Sequence, residues 1–278
     1  MMMKKYMLTV IYMMIPLMNI QAAEFESYTM PRTQVVPITN SVNGGQYELL
    51  VKLPEEYGQD PKRRYPVVYF TDAVWQLDLL SAATTFLMDE VILVGISWQK
   101  DMPKINGEAA APHASRFRDY TVTPSSDQAR QAKYHFGQAT EHLTFIRKDV
   151  FKRVDALYNT KPNQRAYFGY SLGGQFGMYA LIAQPDTFNH YILGSPALGG
   201  SVDYLSELLS KQKQLHANVF ISYGDQEPRL KKHVDKLISK LNDHKQGQLS
   251  LTHEVMDGDH SQSVPMTVAR GVTWLSNL

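Results

Sequence analysis

The chain contains no cysteine, which excludes a disulfide framework, a thiol nucleophile, a zinc–thiolate centre and a lipidated N-terminal cysteine. It has no excess of either charge: 28 Lys and Arg stand against 27 Asp and Glu, so no long-range field gathers nucleic acid or an anionic membrane. There is no HExxH pair, and the two acids next to His260 (Asp257 and Asp259) have no second histidine beside them, so the spacing of a metal site is missing and neither a metal nor another cofactor is expected. No repeat, low-complexity tract or Pro/Gly/Ser linker divides the 278 residues. The one long apolar run, Tyr6 to Ile20, contains Pro16 and is shorter than the roughly 20 residues a membrane-crossing helix needs. Preceded by Lys4 and Lys5 and followed by Gln21-Ala22-Ala23, it reads as a secretory signal over residues 1–23, with no stable insertion of the protein in a membrane. The expected remainder is a single exported domain, residues 24–278, periplasmic or secreted.

With 44% hydrophobic residues, a chain of this length can bury a full core. Gln34 to Thr39 and Tyr47 to Lys52 flank Asn43-Gly44-Gly45 and predict an antiparallel hairpin, with glycine supplying the positive φ of the turn. Val67 to Phe70 and Val91 to Val94 read as short buried parallel strands separated by a helix over Ala73 to Leu87. Leu143, Ile146, Val150, Val154 and Leu157 recur at helical spacing and predict a helix over about 139–158 with that face on a sheet. Further strands are expected at Arg165 to Phe168, His190 to Leu193, Val219 to Tyr223 and Leu251 to Val255. Helices are expected at Leu172 to Ala183, at about 202–215, around Leu230 to Leu241 and at Val264 to Leu275. Such alternation predicts an α/β fold with a mainly parallel, doubly wound sheet and ligands at the carboxyl ends of its strands.

Gly169-Tyr170-Ser171-Leu172-Gly173-Gly174 lies between a predicted strand and a predicted helix, the context in which GxSxG forms a nucleophile elbow. A neutral hydroxyl is a poor nucleophile, so Ser171 would need a histidine base, a carboxylate to orient it, and donors for the developing oxyanion. His260 follows the last strand in a loop able to reach the elbow, whereas His253 lies within that strand and reads as structural. The end of the preceding strand carries Asp225 and Glu227; either could orient the imidazole, and Glu227 is preferred on its place in the loop together with the resemblance given below. The oxyanion donors expected are the N–H groups of Leu172 and Ala73, with Asp72 fixing the turn before Ala73. The connection from Trp98 to Gly137 is much longer than a usual one and leaves the carboxyl edge of the sheet, which suits a lid or substrate wall. Trp75, Trp98 and Arg116 are the candidate substrate contacts. For Arg116 an internal clamp between arginine and an aspartate is an equal alternative.

Seven stretches together resemble the bacterial putative-esterase family of α/β-hydrolases: Tyr65 to Asp72, Val94 to Ile96, Arg118 to Thr121, Phe168 to Gly174, Gly194 to Pro196, Gly224 to Glu227 and Gly258 to Ser261. That family includes esterase D-like enzymes, siderophore esterases, and feruloyl and acetylxylan esterases. The resemblance covers nearly all of the expected mature chain. It implies an α/β-hydrolase fold, with Ser171, Glu227 and His260 in the triad positions. Two departures bear on specificity: Asp72-Ala73 stands where relatives often have Asp-Gly, and Gly199-Gly200 stands where many carry bulky aromatics. The expected function is a serine hydrolase cleaving carboxylic esters through an acyl-enzyme, with siderophore, feruloyl or acetyl-sugar esters as candidate substrates. The rivals are an acyltransferase on the same fold and a non-catalytic ligand-binding protein.

Overall fold

In the computed structural model, residues 27–105, 107–244 and 247–278 are described; the expected signal segment, 1–23, lies outside them. Within Pro31–Leu278, eight strands form one sheet in the order β1-β2-β4-β3-β5-β6-β7-β8. They are β1 Thr33–Thr39, β2 Gln46–Lys52, β3 Tyr65–Phe70, β4 Ile92–Ile96, β5 Thr160–Tyr170, β6 His190–Gly194, β7 Leu215–Gly224 and β8 Gly247–Met256. β2 runs antiparallel to both β1 and β4, and β4, β3, β5, β6, β7 and β8 are mutually parallel. The expected hairpin is present, although of its two glycines only Gly44 has a positive φ, 77°.

The helices are α1 Ala73–Leu87, α2 Arg116–Asp119, α3 Gln128–Tyr134, α4 Ala139–Phe145, α5 Phe151–Leu157, α6 Leu172–Ala183, α7 Val202–Ser210, α8 Pro228–Asp243 and α9 Ser263–Ser276. α1 packs with α9, while α4, α6, α7 and α8 form a second run of neighbours. β3 shows why the parallel strands read as unbroken apolar runs. Its Val67 and Tyr69 join the cluster that holds Phe176 of α6 and Leu237 of α8, whereas Val68 and Phe70, equally buried, lie outside that cluster. A strand buried on both faces has no polar side to show.

Two expected helices differ from what their periodicity predicts. The 139–158 segment is helical as far as Leu157, but a π-helical turn at Ile146–Val150 separates α4 from α5. The wider turn offsets the 3.6-residue register, so Leu143, Ile146, Val150 and Val154 are buried while Leu157 is 45% exposed. The helix begun at Val202 stops at Ser210 rather than near Leu215, because Leu215 opens β7 and pairs with Gly247. The long connection after β4 is not structureless: it carries α2 and α3.

One core residue makes stability depend on pH. His142 of α4 is buried among Tyr47, Tyr120, Phe145 and Phe176, and neither ring nitrogen has a hydrogen-bond partner among the described residues. Burial pushes its pKa down to about 4, so the folded chain keeps the ring neutral while an unfolded chain protonates it below about 6.5. Below that value the unfolded state binds the extra proton, and stability falls as pH drops towards the folded value, by up to about 3 kcal/mol in all. His142→Leu is expected to lose about 2 kcal/mol less stability than the parent between pH 7 and pH 5, measured by denaturant unfolding.

Candidate active site

Ser171 joins β5 to α6 at φ 57°, ψ −117°, a conformation that costs a non-glycine residue about 1–3 kcal/mol. The fold holds it there. The Ser171 N–H donates to the Gly194 carbonyl at 2.9 Å, and the Ser171 carbonyl accepts from the N–H of Gln175 and of Ala197, both at 3.0 Å. The flanking glycines are steric necessities: a Cβ at Gly169 would strike the Gly173 carbonyl, and one at Gly174 would lie 2.9 Å from the Gly194 oxygen.

Ala73 opens α1 and Leu172 opens α6. First-turn N–H groups have no acceptor within their own helix, and neither of these two has a partner elsewhere among the described residues. Asp72, in the left-handed region at φ 56°, turns the chain into α1. Its carboxylate is fully engaged: Oδ1 accepts from Trp98 Nε1 at 2.7 Å and Arg116 Nε at 3.0 Å, and Oδ2 accepts from Arg116 Nη2 at 2.9 Å. Arg116 is therefore a clamp on Asp72. Its guanidinium also stacks over the Trp75 ring, 4.9 Å from the centroid.

His260 follows β8 and Glu227 follows β7, and the two meet with Nδ1 2.5 Å from Oε1. The other oxygen of Glu227, Oε2, accepts from Ser195 Oγ at 2.6 Å and from the Gly224 N–H at 2.8 Å. Asp225 turns elsewhere and accepts from the Gly258 N–H at 2.8 Å. His253 packs its ring on Tyr223 within the sheet.

Ser171, His260, Trp75 and Arg116 line one cleft of about 340 Å³. No hydrogen bond joins the Ser171 hydroxyl to the imidazole among the described residues. Trp75 is 47% exposed, whereas Trp98 sits behind it at a ring separation of 4.7 Å and does not line the cleft. Glu227 likewise stays behind His260. Sequence reasoning passed over Tyr170 and Gln76, which also line the cleft, and Ser195. The only sequence signal for Ser195 was its place in Gly194-Ser195-Pro196, because a positive φ at a serine, here 37°, leaves no trace in composition.

Residues 40–267 match the family described as "Putative esterase". The ferri-bacillibactin esterase BesA of Bacillus subtilis is 24% identical over 272 residues, covering 88% of this chain and 90% of that protein. The fold is shared with an IroE-like serine hydrolase from Shewanella oneidensis, at a TM-score of 0.71 and 22% identity over 88% of this chain and 80% of that one. It is shared also with the siderophore hydrolase EstB from Aspergillus nidulans, at a TM-score of 0.71 and 18% identity over 89% and 95%. With most of its length matched, and a mainly parallel sheet whose inner strand β5 runs into the turn at Ser171, this chain is a member of the Putative esterase family, built on an α/β-hydrolase-like fold.

Proposed function

We propose that the chain is a serine esterase that hydrolyses the ester bonds of a siderophore. The observation that carries the mechanism is the Glu227–His260 hydrogen bond at the edge of a cleft that Ser171 also lines. In this reading the Ser171 hydroxyl attacks the ester carbonyl carbon while His260 Nε2 takes its proton. Glu227 holds Nδ1–H, which fixes the tautomer and offsets the imidazolium charge. The oxyanion receives the N–H groups of Leu172 and Ala73, which two helix starts leave without acceptors. The carbonyl re-forms as the alkoxide leaves, taking the proton back from His260. Water, deprotonated by the same imidazole, then frees the acid and restores Ser171. No step calls for a cofactor. Catalytic hydrogen bonds are often long without substrate and tighten when it binds, which suits a serine and histidine that share a cleft with no hydrogen bond between them among the described residues.

The names of the relatives support the substrate class, and the cleft suits it. Trp75 offers an exposed aromatic face with Arg116 stacked on it, a surface for a bulky aromatic or polar acyl group rather than a long alkyl chain. The signal-like segment at 1–23 supports a location outside the cytoplasm, in the periplasm or beyond. The test is a panel of p-nitrophenyl esters of graded chain length beside feruloyl, acetyl-sugar and catecholate-siderophore esters. The siderophore esters are expected to give the highest kcat/KM. A steady rise of kcat/KM with alkyl length, together with intact siderophore esters, would refute the substrate assignment.

A further inference from the structure

We propose that Ser195 is a positioning residue for the acid–base pair, its hydroxyl holding the Glu227 carboxylate in the one orientation that presents Oε1 to His260. The inference rests on the catalytic reading above and assigns a role to a residue outside the triad. Ser195 is fully buried and lies just past the end of β6 at φ 37°, a backbone state that L-residues other than asparagine and aspartate rarely adopt. Its N–H donates to the Ser222 carbonyl at 2.7 Å, which ties the strained residue to β7. From there its Oγ reaches Glu227 Oε2 at 2.6 Å. Glu227 itself lies just before α8, three residues past Gly224, the last residue of β7, whose N–H is the second donor to the same oxygen. Both protons on Oε2 leave Oε1 to the imidazole alone.

Tyr170, the residue before the nucleophile, completes the arrangement. Its hydroxyl lies 2.7 Å from the His260 carbonyl, 2.9 Å from Ser195 Oγ and 2.8 Å from Ser263 Oγ, so its single proton is divided between the His260 carbonyl and Ser195. Burial raises the Tyr170 phenol above its ordinary value and keeps that proton in place. The elbow strand, the acid and the base loop are thereby joined through two hydroxyl groups. A side chain tolerated there only for its size would not need a strained backbone and a bond of 2.6 Å to a buried carboxylate.

The chemical consequence has a sign. A donor to the ionised carboxylate favours the charged form, so deleting the hydroxyl makes the carboxylate more basic and the proton shared with His260 harder to lose. The acid limb of the pH profile of kcat/KM should then move upward. The other titratable and charged groups near the pair are Asp225 and Asp259 on the same two loops, Tyr170 on β5, and the Asp72–Arg116 pair across the cleft. Of these only Tyr170 is touched by a change at Ser195: it loses one partner of its hydroxyl and keeps the His260 carbonyl as acceptor.

Two variants separate the hydroxyl from the backbone. Ser195→Gly deletes the hydroxyl but relaxes φ, whereas Ser195→Thr keeps a hydroxyl while adding a β-branch to a strained residue. We expect Ser195→Gly to keep its Tm and KM, to lose about 10- to 100-fold in kcat, and to shift the acid limb upward by about one pH unit. Ser195→Thr should lose Tm but leave the acid limb where it is. An unmoved acid limb in Ser195→Gly, or the same upward shift in both variants, overturns the proposal. Ser171→Ala, measured alongside, keeps the two claims apart: retained turnover in that variant sinks the catalytic reading, while its loss beside a silent Ser195→Gly sinks only this one.

Discussion

Ser171→Ala should lower kcat by about 10⁴- to 10⁶-fold with little change in KM, by analogy with nucleophile deletions in other serine hydrolases. The variant tests the mechanism cleanly because Ser171 Oγ supports no other group among the described residues. The φ of 57° stays strained in alanine as in serine, so the Tm should change by no more than a few degrees. Steady-state kinetics on an activated ester, a thermal melt and labelling with a fluorophosphonate check it together. The parent should take up the label and the variant should not. Esterase turnover within tenfold of the parent would show that the elbow serine is not the nucleophile.

The second large effect concerns the carboxylate. Glu227→Gln should cost about 10³- to 10⁴-fold in kcat, because an amide can present a donor to Nδ1 and favour the wrong imidazole tautomer. The neighbouring Asp225→Asn should cost less than about tenfold, since its role is to accept from the Gly258 N–H at 2.8 Å and an amide oxygen can still accept there. The comparison is informative because the two acids lie two residues apart on the same turn. A reversed order of effects would transfer the orienting role to Asp225 and leave the 2.5 Å contact of Glu227 with His260 without a catalytic consequence.

The parts of the site legible in the sequence are those whose chemistry is local. An elbow needs small residues at fixed offsets around the serine, and Gly169 and Gly174 stand where a Cβ would meet a carbonyl. The strands could be read for a similar reason: with both faces covered, Val67 to Phe70 admits no polar residue, and such a run is visible in a single sequence. Of the features that depend on chain segments meeting, the pairing of Glu227 with His260 was anticipated from strand order and the resemblance, while others were not legible. Nothing in the local pattern of Ser195 says that it faces a glutamate 32 positions later. The π-helical turn at Ile146–Val150 is hidden for another reason, since its residues are ordinary helix formers whose apolar spacing fits an unbroken helix up to Leu157. The two readings of Arg116, substrate contact or clamp, could not be separated in advance because the choice turns on where Asp72 points. The guanidinium grips that carboxylate and still lines the cleft.

That grip bears on how the enzyme could be re-engineered. The excursion from Trp98 to Gly137 looks like an interchangeable specificity module, yet two of its side chains hold Asp72, the residue just before Ala73. If Ala73 is an oxyanion donor as proposed, a chimera that imports the excursion of another esterase without an arginine and an indole at matching places would exchange selectivity for a misaligned donor. Successful swaps should be those in which the graft and the turn at residue 72 travel as one cassette.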